Sequence, residues 1–174
     1  VIGIDMTPEM VMQARKNAKK GNYKNVEFII GEIENLPIEN DSIDLIISNC
    51  VINLSNQKEQ VFREAFRVLK QNGSILFSDI ILQKELPDYV KYTVEGHIAC
   101  LAGAIRKEDC IFGLEQAGFS GIQIKKLSHF PIELMLNDPI AQKIVSENQL
   151  TEIEISEITN SIASISIYAK KLSQ

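Results

Sequence analysis

Ser48, Asn49 and Cys50 close the apolar run IDLIISNCV. Packing alone gives a buried strand no reason to end in a hydroxyl, an amide and a thiol. Their place, where the chain leaves the core, fits a strand end facing a small-molecule pocket. Two other apolar runs end in the same way. VIGI is followed by Asp5 and Met6, and NVEFII by Gly31, Glu32, Ile33 and Glu34. In doubly wound sheets, ligands sit outside the carboxyl ends of the strands. A carboxylate offers two acceptor oxygens, so Asp5 can receive both hydroxyls of a ribose. It can also serve as a helix-entry turn residue, and the ribose role is preferred because Thr7 and Pro8 already start the next helix. Met6 fits against a purine face or as core filler. Glu32 and the backbone at Ile33 can meet the amino group and ring nitrogen of an adenine, or simply lie exposed.

The sulfur and imidazole groups are few. The cysteines are Cys50, Cys100 and Cys110, and the histidines His97 and His129. An odd, sparse cysteine count argues against a disulfide framework and for reduced thiols in a cytoplasmic setting. A cysteine outside a disulfide commonly behaves as a small buried hydrophobe, and Cys50 and Cys100 both admit that reading. Cys110 falls on the apolar side of a helix and reads as core. His97 lies one helical turn before Cys100, as a surface residue or an added nitrogen ligand. Two histidines so far apart make no zinc site.

The elements that position these groups follow from periodicity and punctuation. VIGID is a short strand. Thr7 as cap, Pro8 in the first turn and Glu9 at the positive end start a helix. Val11, Ala14 and Ala18 line one face of it, and Gly21 and Asn22 stop it. Residues 25–31 and 40–50 read as two more strands. Asn56 with Glu59 resembles a capping box ahead of an apolar stripe of Val61, Phe62, Ala65, Phe66 and Leu69. KQNG closes that helix before a strand over 73–82. Residues 85–105 read as helix and loop over the sheet, 107–119 as a helix, and 121–130 and 161–172 as the last strands. Residues 138–158 give no clear pattern. Strands alternating with helices predict parallel βαβ units, and continuous apolar strands predict a sheet covered on both faces.

The chain of 174 residues suffices for one domain with a real core. A net charge of −5 and no basic stripe argue against a nucleic-acid partner. The densest basic stretch, RKNAKK at 15–20, reads as the solvated face of a helix. No apolar stretch reaches membrane-spanning length.

The series VIGIDMTPEMVMQAR, NVEFIIGEIENLPI, DSIDLIISNCVINLS, REAFRVLKQNGSILFSDI and EGHIACLAGAI resembles the class I S-adenosylmethionine-dependent methyltransferases, and most of all the arsenite methyltransferases. The resemblance covers residues 1–130. Its first four motifs speak for cofactor class, and SNCVINLS with HIACLAGA speaks for substrate. It implies an α/β, Rossmann-like doubly wound sheet, mostly parallel with an antiparallel last strand. It also implies a partial cofactor-binding domain over 1–130 and a C-terminal extension, 131–174, that adds the last strand to the same sheet. Asp5 would hold the ribose of S-adenosylmethionine and Met6 would line the adenine. Glu32, Ile33 and Glu34 would form the adenine edge, with Ser48 and Asn49 near the methionine portion. Cys50 and Cys100 would be the thiolates that hold As(III), a soft centre suited to soft ligands. The substrate would be a small molecule. Methyl transfer to another small metabolite, and a degenerate non-catalytic module, stand as alternatives.

The same resemblance implies a departure. The family's first strand, the glycine-rich turn after it and a further upstream cysteine have no counterpart from Val1 onward, and no GxG occurs in the chain. The sequence therefore reads as an N-terminally truncated fragment, expected by itself to bind the cofactor poorly. In the family's sheet that strand lies between VIGID and DLIIS. One of three outcomes is expected: VIGID pairs directly with DLIISN, another chain fills the gap, as in a homodimer through unpaired edges, or residues 1–35 pack irregularly.

Overall fold

A computed structural model describes residues 1–86, 103–129, 142 and 145–172. Strand β1 (Ile2–Asp5) leads into helix α1 (Pro8–Lys20), and β2 (Glu27–Ile30) returns parallel to β1. Val11 is buried and Ala14 and Ala18 are half-buried, so the expected face of α1 is the one that packs on β1 and β2. The RKNAKK stretch is mostly exposed, with Arg15 reaching the Phe28 carbonyl. Thr7 occupies the N-cap without a side-chain cap bond. Its own N–H is received by the Asp5 carboxylate at 2.8 Å, in a turn that precedes the helix amides a cap would satisfy.

Strand β3 (Ile43–Asn49) is followed by a 3-10 turn (Ile52–Leu54) and helix α2 (Lys58–Val68). The capping box expected of Asn56 and Glu59 does not form. Gln57 is the N-cap, and the Ser55 hydroxyl receives the Gln57 N–H at 3.0 Å. Strand β4 (Leu69–Leu82) starts directly at the end of α2, so KQNG belongs to the strand. Asn72 adopts φ +65° there, and the β3–β4 register shifts between Ile43 and Leu45. Helix α3 (Lys107–Gln116), β5 (Ser120–His129), helix α4 (Glu152–Asn160) and β6 (Ile162–Lys170) follow among the described residues. Gly118, at φ +102°, ends the turn after α3 against the Phe66 ring. Thr151 and Glu154 form a capping box on α4, in the stretch whose pattern the sequence leaves open.

The strand order is β3-β4-β6-β5, with β3 and β4 parallel and β6 antiparallel to both its neighbours. This is the mostly parallel sheet with an antiparallel last strand that the sequence implied. Strands β1 and β2 form a separate two-stranded sheet. The direct pairing of VIGID with DLIISN is thus not formed, and residues 1–35 build a regular βαβ unit rather than an irregular one. With β2 and β4 as their respective partners, β1 and β3 each keep one edge without a ladder among the described residues. These are the edges that the sequence offered for a homodimer.

Burial alternates along β4 and β6 instead of covering both faces equally. Ile75, Phe77 and Ile81 of β4 and Ile165 and Ile167 of β6 share the core with Val61, Phe62, Ala65, Cys110 and Leu114 of α2 and α3. The other face is half-buried, and Ile47 of β3 is 71% exposed. Two buried charges tie the layers together. Lys171 donates to the Phe66 and Leu69 carbonyls at 2.9 and 2.8 Å and to Asp41 at 2.7 Å. A cation there suits the carbonyl end of α2. The Arg67 guanidinium holds Glu64 at 2.7 Å and also donates to the Leu36 and Ile38 carbonyls and to Asn40.

Arg67 hydrogen bonds pull the Glu64 carboxyl below its ordinary value of 4.5. The resulting stability is present above that value and is lost as pH falls through the lower folded value. Arg67→Met should cost about 2 kcal/mol at pH 7, the scale of a charged hydrogen-bond pair. The gap in urea midpoint between the protein and its Glu64→Gln variant should narrow when measured below pH 4.5. Burial pushes the Cys110 thiol up to about 12. Iodoacetamide at pH 8, read by peptide mass, should leave Cys110 unlabelled until denaturant is added.

Candidate functional site

The carboxyl ends of β1 and β2 lie side by side. Asp5 is opposite Ile30 in the ladder, and the Gly31 N–H donates to the Asp5 carbonyl at 3.1 Å. The Asp5 side chain is exposed, with Oδ1 engaged by Thr7. A carboxylate with one oxygen in the helix-entry turn has a second with which to accept a hydroxyl, so the two readings of Asp5 are compatible. Met6 is 70% exposed, which removes the core-filler reading. After Gly31 the chain turns sharply, with the Asn35 N–H donating to the Glu32 carbonyl at 3.2 Å. Glu32 is exposed, Ile33 packs against the core and the Glu34 carbonyl accepts from Gln60 of α2 at 3.3 Å. Asp5, Met6 and the Glu32–Glu34 turn thus frame one strand-end surface, with a carboxylate for hydroxyls and an apolar side chain for a ring face. That set of an acceptor and an apolar surface fits a nucleoside.

At the end of β3, Ser48 and Asn49 pair with Phe77 and Ser78 of β4. Cys50 is exposed, lies outside any disulfide and has φ +54°. The left-handed region costs a residue with a Cβ about 1–2 kcal/mol. Such strain persists only where surrounding structure over-determines it. Here the Cys50 N–H is tied to the Ser78 carbonyl at 2.9 Å. The 3-10 turn that follows is held by Asp79, a carboxylate on the buried face of β4. Asp79 is 3% exposed, and its Oδ2 accepts the Asn53 N–H at 3.2 Å. Burial raises the Asp79 carboxyl above its ordinary range, opposed by amides of Asn53, Ile80 and Ile52 and by the Lys58 charge. Burial likewise lowers the Lys58 ammonium, which donates to the Ser55 carbonyl at 2.7 Å.

Sequence reasoning missed Asp79, Asn53 and Lys58. The signal for the first was visible as an acid set inside the apolar strand SILFSDIIL. The other two carry no motif. Cys100 and His97 lie outside the described residues, as does most of the 85–105 segment. Cys110 is 4% exposed and belongs to the core, as expected. His129 is exposed at the end of β5. Among the described residues no three His, Cys, Asp or Glu side chains form a metal-binding group, and no helix is long and apolar enough to cross a membrane.

The chain is similar to several known proteins. An arsenite methyltransferase of Halobacterium salinarum is 42% identical over 124 residues, covering 71% of this chain and 32% of that protein. The human arsenite methyltransferase is 40% identical over 128 residues, covering 68% and 34%. The chain therefore spans about a third of the length of these curated relatives. A crystal structure of an arsenic(III) S-adenosylmethionine methyltransferase from Chlamydomonas reinhardtii superimposes with a TM-score of 0.74 at 32% identity, covering 99% of this chain and 55% of that one. The YcgJ protein of Bacillus subtilis shares the fold with a TM-score of 0.80 at 21% identity, covering 99% and 82%. The family model described as a methyltransferase domain matches residues 1–153, and the chain belongs to that family.

Proposed function

We propose that the protein catalyses methyl transfer from S-adenosylmethionine to trivalent arsenic held by the thiolates of Cys50 and Cys100. The observation that carries this reading is Cys50 itself: an exposed thiol in a strained backbone at the end of a parallel strand, after Ser48 and Asn49. The likeness to arsenite methyltransferases and to the arsenic(III) enzyme supports the substrate.

Asp5 accepts the ribose hydroxyls through its second oxygen, while Thr7 keeps the carboxylate oriented. Met6 covers the adenine face, and Glu32, Ile33 and Glu34 bound its edge. Ser48 and Asn49 line the methionine portion. When bound, S-adenosylmethionine supplies an electrophilic methyl group on a positive sulfonium. Each thiol that joins arsenite forms one As–S bond and releases one water, its proton leaving with a displaced hydroxide. The arsenic lone pair stays available, so the chain's part is to orient the nucleophile, and no general base is required.

Cys50→Ser and Cys100→Ser should each lower arsenite affinity at least about tenfold, roughly 1.4 kcal/mol per lost bond. Equilibrium dialysis with arsenite measures this. Arsenite methylation that survives the double variant would sink the proposal and leave another small metabolite as the substrate. Asp5→Asn should weaken S-adenosylmethionine binding about 10- to 100-fold, the scale of a charged hydrogen bond, with arsenite affinity unchanged. Calorimetry with each ligand separates the two effects.

A further inference from the structure

Three consecutive residues of β4 hold the loop that carries Cys50. Ser78 receives the Cys50 N–H through its carbonyl at 2.9 Å. Asp79 receives the Asn53 N–H on its carboxylate at 3.2 Å. Ile80 receives the Asn53 side-chain amide on its carbonyl at 2.6 Å. Asn53, buried at 4% exposure, is the centre of the arrangement. Its remaining backbone group, the carbonyl, faces Lys58 Nζ at 3.4 Å and the Cα of Gly103. A Cβ at Gly103 would collide with that carbonyl oxygen, so only glycine permits the approach. Beyond Gly103, the Ile105 carbonyl receives the Leu82 N–H at 2.9 Å, which stitches the same segment to the end of β4.

An acid on the apolar face of β4 is costly unless its oxygens are matched. Here the match is with the amides of the 3-10 turn, whose strand partner lies behind them. Separating the two breaks a hydrogen bond inside the core, with the Ile80 N–H still held by Asp79 at 3.2 Å. We propose that Asp79 and Asn53 are positioning residues. They clamp the Cys50 loop onto β4 and onto Gly103, and so set where the Cys50 thiol stands for its substrate. This rests on the reading of Cys50 as a substrate ligand.

The test compares Asp79→Asn with Arg67→Met, a destabilising change in the separate pair that supports residues 36–40. Hydrogen exchange should quicken at least tenfold at the Cys50 and Asn53 amides in Asp79→Asn and stay unchanged there in Arg67→Met. Steady-state kinetics should show KM for arsenite raised at least tenfold in Asp79→Asn, with KM for S-adenosylmethionine unchanged. Unaltered exchange at those two amides would overturn the clamp. Quickened exchange with unaltered KM for arsenite would overturn its positioning role, as would an equal rise in Arg67→Met. If the unmodified protein does not turn over arsenite, the proposed function fails, while the exchange data still decide the clamp. Should Asp79→Asn fail to fold, Asn53→Ala, which removes the side-chain bond to Ile80, carries the same measurements.

Discussion

Each loop bearing candidate site residues must cross an apolar surface with its amides and carbonyls satisfied, and a buried polar group left without a partner costs about 1–3 kcal/mol. Two acids meet this constraint. Glu64 of α2 accepts the Leu36 N–H at 2.9 Å, and its partner Arg67 donates to the carbonyls of the same loop. Asp79 of β4 accepts the Asn53 N–H in the loop after β3. Both acids sit among apolar residues on elements of the core, and both are turned toward a loop that follows a parallel strand. The rigid elements thus hold the loops by charge-assisted bonds, while the apolar cluster beneath keeps water from competing.

Helix α2 joins the two supports. Its first residue, Lys58, binds the Ser55 carbonyl in the loop after Cys50, and Gln60, Glu64 and Arg67 hold residues 34–40 after β2. The face opposite these contacts carries Val61, Phe62 and Ala65 into the core, where Phe62 meets Phe77 of β4 with ring centroids 6.0 Å apart. One helix therefore sets the Glu32–Glu34 turn and the Cys50 loop on a common base. A shift of α2 would move both, which makes its packing part of the site's geometry.

The strands and helix faces were legible because burial imposes period on sequence. Val11, Ala14 and Ala18 mark the covered face of α1, and the stripe through Val61 and Phe62 marks that of α2. Helix starts were less legible, because a cap depends on which acceptor reaches the amide first. Thr7 and Asn56 make no cap bond, and Asp5 and Ser55 instead accept the N–H of the N-cap residues Thr7 and Gln57. The end of α2 was hidden for a related reason. KQNG has the composition of a turn, yet Leu69 pairs with Ile43 and draws those residues into β4. Of the candidate site, the strand-end positions of Asp5, Met6, Glu32 and Cys50 could be read directly. Asp79 could not, because nothing in one dimension says which amides a buried acid will meet.

Cys50 brings these strands of reasoning together. A left-handed backbone at a residue with a Cβ is unfavourable, and glycine would relieve it at once. The sequence has a thiol there instead, so the surrounding bonds must supply what the backbone lacks. The hydrogen bond to Ser78, the amide–carboxylate bond at Asp79 and the side-chain bond to Ile80 fall within four residues of the loop. Three bonds of about 1 kcal/mol each exceed a strain of about 1–2 kcal/mol. The margin is small, so the geometry of the thiol depends on all three.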